Sequence, residues 1–212
     1  VSNQNITDLT GIEDFIALKE LRCGGNPMST LDISQNINLT NFVCVNNNLT
    51  SINLQNNAAL EGLILVSFTN SGMLNNLDLS NNTALTYLRC ENNQLTNLDL
   101  SNNTLLAYLY CDGNQLTSLD VSNNTNLRRL SCPVNQITTL DLSLLPLLYE
   151  LTCHSNQLTN LDLRNGNNLT YGGVSIINNP NLYFDETNTR MVMNFRNNYS
   201  RLAESLLQKG DD

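Results

Sequence analysis

The sequence predicts an α/β-type solenoid, a stack of similar coils with a parallel β-sheet on its concave side. Three columns of residues predict it. Cys90, Cys111, Cys132 and Cys153 recur every 21 residues. Leu77, Leu98, Leu119, Leu140 and Leu161 keep the same period, as do Asn93, Asn114, Asn135 and Asn156. A fixed period of about 20–50 residues marks a chain that stacks copies of one supersecondary unit.

The columns extend toward both ends. Cys23 and Cys44 are also 21 residues apart, with Asn26 and Asn47 in step. Between Cys44 and Cys90 the gap is 46 residues, two periods and four more. Leu65 fills the vacant cysteine slot, and the surplus falls in a longer loop at 67–76, "SFTNSGMLNN". Ile176 takes the slot in the last coil, followed by Asn179. Eight coils result. Their unit, L-x-x-L-x-L/C-x-x-N-x-L, is the leucine-rich repeat signature.

Each coil has a physical reading. Leu85, Leu88, Cys90, Leu95, Leu98 and Leu100 point inward, where no coil can bury them alone but a stacked neighbour can. Tyr87–Glu91 alternates out and in, as a short strand does. Strands about 4.8 Å apart give a concave sheet roughly 35 Å long. Asn93 stands where the chain leaves the strand, and its amide can bond backbone groups of adjacent turns. "LDLSNNT" crosses the convex side with Asx-type turns. About ten residues make that crossing, too few for a helix and its turns, so extended or 3₁₀ structure is expected. Little helix is expected anywhere except near the C-terminus. The cysteine slot is inward, small and apolar, so six reduced, buried thiols are expected.

The solenoid is expected to occupy 1–185. Residues 186–212 leave the pattern and read as a C-terminal cap or tail, part helical, with Tyr199, Leu202, Leu206 and Leu207 near one helical face. The chain opens at Val1 with neither Met nor an apolar leader, which suggests a processed protein or an excised fragment.

Composition narrows the function. The formal net charge is -9, with Asp and Glu 19 against Lys and Arg 10. Such a chain repels phosphate backbones, so nucleic acid is not an expected partner. No run of about 18 apolar residues is present, so no membrane insertion is expected. His154 is the sole histidine, and the cysteines lack close Cys-x-x-Cys spacing, so no metal site and no cofactor are expected. The aspartate column (Asp32, Asp78, Asp99, Asp120, Asp141, Asp162) is single file and supplies converging calcium ligands poorly. Capping of each residue's own turn is the expected role. No Ser-His-Asp set, paired acids in a pocket or phosphate loop is evident, so the chain is not expected to be an enzyme.

The quoted unit, with cysteine in its strand, resembles the cysteine-ladder leucine-rich repeats of secreted bacterial proteins. "NITDLTGIEDFIALKELRC" (5–23) resembles the opening repeat of internalin-like surface proteins and of secreted Bacteroidetes repeat proteins. "LDLRNGNN" (161–168) and "NNPNL" (178–182) are closer in style to the closing repeat of the Bacteroidetes branch. The resemblance implies export, to the medium or the cell surface, and binding of protein or glycan. It carries no particular ligand across. The helical cap usual before the first repeat is absent from this sequence.

The outward strand slots vary while the frame does not, as a recognition surface would require. Tyr87, Arg89, Tyr108, Tyr110 and Arg129, bordered by Glu150, form a cluster of aromatic and guanidinium groups on adjacent strands. Tyr and Arg are typical interface anchors, although cross-strand packing alone could also explain them. Val43, Val45, Ile64 and Val66, beside Phe68, form a second, apolar patch, unless the long loop folds over it. The expected function is a non-catalytic, monomeric recognition or adhesion module that binds protein or glycan on the concave face. The alternative is a structural spacer arm of a larger surface protein. A threonine column (Thr50, Thr96, Thr117, Thr138, Thr159) offers a weaker third reading, a regular surface for ice or mineral.

Overall fold

The structure, a computed structural model, describes residues 1–68, 73–163, 169 and 173–182. Eight short strands form one sheet in chain order: β1 Glu20–Arg22, β2 Asn41–Val43, β3 Gly62–Ile64, β4 Tyr87–Arg89, β5 Tyr108–Tyr110, β6 Arg129–Ser131, β7 Glu150–Thr152 and β8 Val174–Ser175. Every neighbouring pair is parallel. Such an order requires the chain to make a full turn between successive strands, so the molecule is a leucine-rich repeat solenoid.

Register follows the repeat. Glu20 pairs with Asn41, Asn41 with Gly62 and Tyr87 with Tyr108. Gly62 pairs with Tyr87 although 25 residues separate them. The four surplus residues of that coil leave the sheet in step.

The core is one continuous cluster running the length of the stack. Leu85, Leu88, Cys90 and Leu95 are each 0% exposed, and Leu98 and Leu100 4% and 1%. All six cysteines are buried and reduced. The thiols of Cys23, Cys90 and Cys111 donate weakly to carbonyls of the next strand, Cys111 Sγ to Ser131 O at 3.5 Å. Burial pushes the Cys153 thiol up to about 12 and holds those of Cys111 and Cys132 well above the ordinary thiol range. A thiol held neutral is a packing group and a poor nucleophile.

Asparagine satisfies the backbone that the coils leave open. Asn114 Nδ2 donates to Cys111 O and, one coil back, to Cys90 O, both at 3.0 Å. Its Oδ1 accepts from Leu95 N at 3.1 Å. Asn93, Asn135 and Asn156 repeat the pattern. A second ladder, which the repeat pattern had not revealed, runs along the convex side through Asn36, Asn57, Asn82, Asn103 and Asn124. Each donates Nδ2 to two carbonyls of the preceding coil; Asn103 reaches Leu79 O at 3.2 Å and Asn82 O at 2.9 Å.

The convex crossing consists of paired turns. Asn103 N donates to Leu100 O and Leu106 N to Asn103 O, and other coils do likewise. Among the described residues there is no α-helix, and one 3₁₀ turn occurs, Ile12–Asp14. The aspartates cap their own turns as expected: Ser34, Ser80, Ser101, Ser122 and Ser143 N–H groups donate to Asp32, Asp78, Asp99, Asp120 and Asp141 at 2.8–3.0 Å. No helix among the described residues is long and apolar enough to cross a membrane. The expected C-terminal helix, and the 185/186 boundary with it, lie outside the described residues.

Candidate functional site on the concave face

Position along each three-residue strand decides which side chains face out. The middle residue is buried in β1 to β7, and its two neighbours face the concave side. Tyr87, Arg89, Tyr108, Tyr110, Arg129 and Glu150 are all half-exposed there, on four adjacent strands.

Three tyrosines form one cluster. Tyr87 lies 6.0 Å from Tyr108 and 5.8 Å from Tyr110, centroid to centroid, at tilts of 46° and 48°. Tilted rings at that separation match the aromatic quadrupole preference. Arg89 caps the cluster, its Cζ 5.6 Å from the Tyr110 centroid. Partial burial raises the Tyr87 hydroxyl above the ordinary tyrosine range, so the phenol is a neutral donor and acceptor.

The arginines are committed within the chain. Arg89 holds Glu91 Oε1 through Nη2 at 2.5 Å and Nε at 2.7 Å. Arg129 Nε donates to Tyr149 Oη at 2.9 Å and lies 3.0 Å from Glu150 Oε2. Arg22 pairs with Glu20. These contacts raise the Arg89 and Arg129 guanidinium pKa values further, the bond to Glu91 leading at Arg89 and the bond to Tyr149 at Arg129. The sequence placed the guanidinium groups but not their partners, because periodicity fixes a column and leaves rotamers open. Tyr149 was missed for a different reason: it sits one residue before β7. The only signal was an aromatic in a column otherwise occupied by Lys19, Thr40, Glu61, Thr86, Ala107 and Arg128.

Beyond the strands, side chains that strand alternation would place outward are enclosed. Glu91 is 5% exposed, Val66 3%, and Pro133 is buried. Glu91 Oε2 and Asp112 Oδ1, on neighbouring coils, are buried with no hydrogen-bond partner. Burial raises both carboxyls above the usual range. The chain turns sharply just past this column: Asn46, Asn92, Val134 and Ser155 take positive φ near 52–55°, and Gly113 takes 63°.

The apolar patch is divided. Val43, Val45 and Ile64 are half-exposed, Val66 is buried and Phe68 is 66% exposed. Val43 and Ile64 join Tyr87 in lining a depression of about 200 Å³ over Gly62, rimmed by Arg22, Asn41, Glu61 and Thr86. The two sequence-predicted patches therefore meet at Gly62. Among the described residues no cluster of three or more His, Cys, Asp or Glu could hold a metal ion.

Comparison with solved structures places this geometry among known ones. The functional domain of InlJ from Listeria monocytogenes, which includes a cysteine ladder, is 38% identical over 80% of this chain and 42% of that one, with TM-score 0.63. The L. monocytogenes internalin inlF is 26% identical over 74% of this chain and 46% of that one, TM-score 0.66. Internalin C2 of the same organism is 26% identical over 86% of this chain and 76% of that one, TM-score 0.65. The chain thus spans less than half the length of the first two structures. No protein-family model matches it, and no curated protein sequence does.

Proposed function

Because the chain is an internalin-like leucine-rich repeat protein with a cysteine ladder, we propose that it is a non-catalytic recognition module, secreted or surface-borne, that binds protein or glycan on its concave sheet. The observation that carries this reading is the tyrosine cluster. Tyr87, Tyr108 and Tyr110 pack ring to ring yet stay half-exposed, on a backbone fixed by a sheet and two asparagine ladders. Ordering costs on binding are low for such a surface, and tyrosine gives large contact area with few rotors. Arg89, Arg129 and Glu150 act as positioned polar contacts at its edge. Screening neutral glycans and candidate surface proteins against the wild type and a Tyr108→Ala/Tyr110→Ala variant tests the reading. Loss of binding in the variant is expected.

One observation favours the spacer alternative. Arg22, Arg89 and Arg129 are each paired inside the chain, as side chains that only stiffen a sheet would be. A spacer would show no specific partner in the same screen.

A further inference from the structure

We propose that the depression over Gly62 is a subsite for one neutral pyranose residue of a glycan. The inference rests on the concave face being the binding surface and assigns a ligand class within it.

The depression exists because Gly62 has no side chain. A Cβ there would stand 2.6 Å from Asn41 Oδ1, while the neighbouring column positions carry Asn41 and Tyr87. The cavity of about 200 Å³ holds roughly seven waters at about 30 Å³ each. That is room for a single sugar ring.

Its lining has two characters. Val43 and Ile64 make one side apolar, and Tyr87 closes one end. Tyr87 cannot swing away freely, since Tyr108 and Tyr110 pack against it. A ring held this way offers a face to the C–H side of a pyranose.

The rest of the rim is polar and mixed in sign, with Arg22 next to Val43 and Asn41 next to Gly62. Among the described residues, the Glu61 carboxylate has no hydrogen bond or ion pair, so its oxygens are open acceptors. Asn41 Nδ2 gives one hydrogen bond to Thr40 Oγ1 at 3.2 Å, leaving its other N–H and its Oδ1. Arg22 uses Nε on Glu20 and retains terminal N–H donors. A cationic head group in the cavity would meet Arg22, and an anionic one would meet Glu61. Hydroxyls that both donate and accept can satisfy the whole rim. A longer chain would continue past Tyr87 onto Tyr108, its register partner.

The test uses the whole chain with methyl glycosides of glucose, galactose and mannose, read by ligand-observed NMR, and an array of neutral, sialylated and sulfated oligosaccharides. Binding to neutral hexose termini is expected, weakened more than tenfold by Gly62→Leu, which fills the cavity. Glu61→Gln changes an exposed side chain with no internal partner, so the fold survives, and a similar loss is expected. Neutral glycans binding both variants as tightly as wild type would overturn the subsite. So would binding confined to anionic glycans, or none at all. The concave-face reading fails separately, when Tyr108→Ala/Tyr110→Ala leaves every detected ligand bound.

Discussion

The rings of Tyr87 and Tyr110 lie 5.8 Å apart, although the two residues sit diagonally across β4 and β5 and not opposite each other. Tyr87 pairs in register with Tyr108 and Arg89 with Tyr110. The diagonal contact binds the cluster into one unit, so truncating Tyr108 and Tyr110 removes support from Tyr87 as well. The double alanine variant should lose at least about 2 kcal/mol of binding free energy, the hot-spot scale. Its melting midpoint should change little, because both side chains are half-exposed. A ligand held equally by both proteins, measured by calorimetry, would relocate the site.

Asn114→Ala should be costly. It removes one of two amide donors from Cys90 O and from Cys111 O, which keep Asn93 and Asn135, and it takes the acceptor from Leu95 N. The orphaned Leu95 N–H costs about 1–3 kcal/mol, and a loss on that scale is expected in denaturant unfolding. A loss below about 1 kcal/mol would mean that water replaces the amide.

Thiol chemistry reads the cysteine row directly. The native protein should resist alkylation at neutral pH, and the denatured protein should titrate all six buried thiols. Cys111→Asp should unfold the central coils, since a carboxylate in a slot that is 0% exposed lacks any donor to offset its desolvation. Rapid labelling of the folded chain would contradict a closed row.

Val134 is a β-branched residue at φ 55°, where L-residues pay roughly 1–2 kcal/mol. Its side chain is 55% exposed, so little packing offsets the strain. Equivalent positions carry Asn46, Asn92 and Gly113, all with positive φ. Val134→Asn should therefore stabilise by about 1 kcal/mol, a rise of about 2–4 °C in Tm for a chain of this size. An unchanged or lower Tm would show that Val134 makes a contact worth the strain.

Two sets of carboxyls act in opposite directions with pH. Glu91 and Asp112 have folded pKa values raised by burial, so the folded state holds protons more tightly than the unfolded state. Their favourable contribution is present at low pH and lost as pH rises through the folded values. The turn-capping Asp32, Asp78, Asp99, Asp120 and Asp141 are lowered by hydrogen bonds from Ser34, Ser80, Ser101, Ser122 and Ser143. Their contribution is present above the ordinary aspartate value and lost as pH falls through the folded ones. Maximum stability should lie on the mildly acidic side of neutral. Asp112→Asn should raise Tm at pH 7 and reduce the gain on acidification. A lower Tm at every pH would show that the Asp112 charge is favourable.

The stack was legible because its information is repeated. Cys90 to Cys153 and Asn93 to Asn156 fix period, register and the inward face together, and the observed pairing of Tyr87 with Tyr108 follows from them. The concave residues were legible as positions only. Glu91 illustrates the limit: alternation places it outward, yet the strand ends at Arg89, the chain turns at Asn92, and Glu91 is 5% exposed. Its bond to Arg89 depends on rotamers, which no period encodes. The convex asparagine ladder was hidden for another reason. In "SNNT" every residue is a plausible turn former, and only the structure separates Asn103, 1% exposed, from the exposed Asn102 beside it.

The coil between Gly62 and Tyr87 carries its surplus length without disturbing strand pairing. Closure entropy rises only slowly with loop length, so this coil absorbs extra chain at little cost to the stack. That makes it a graft port: a peptide tag or short epitope inserted in this coil should leave the pairing of Gly62 with Tyr87 intact.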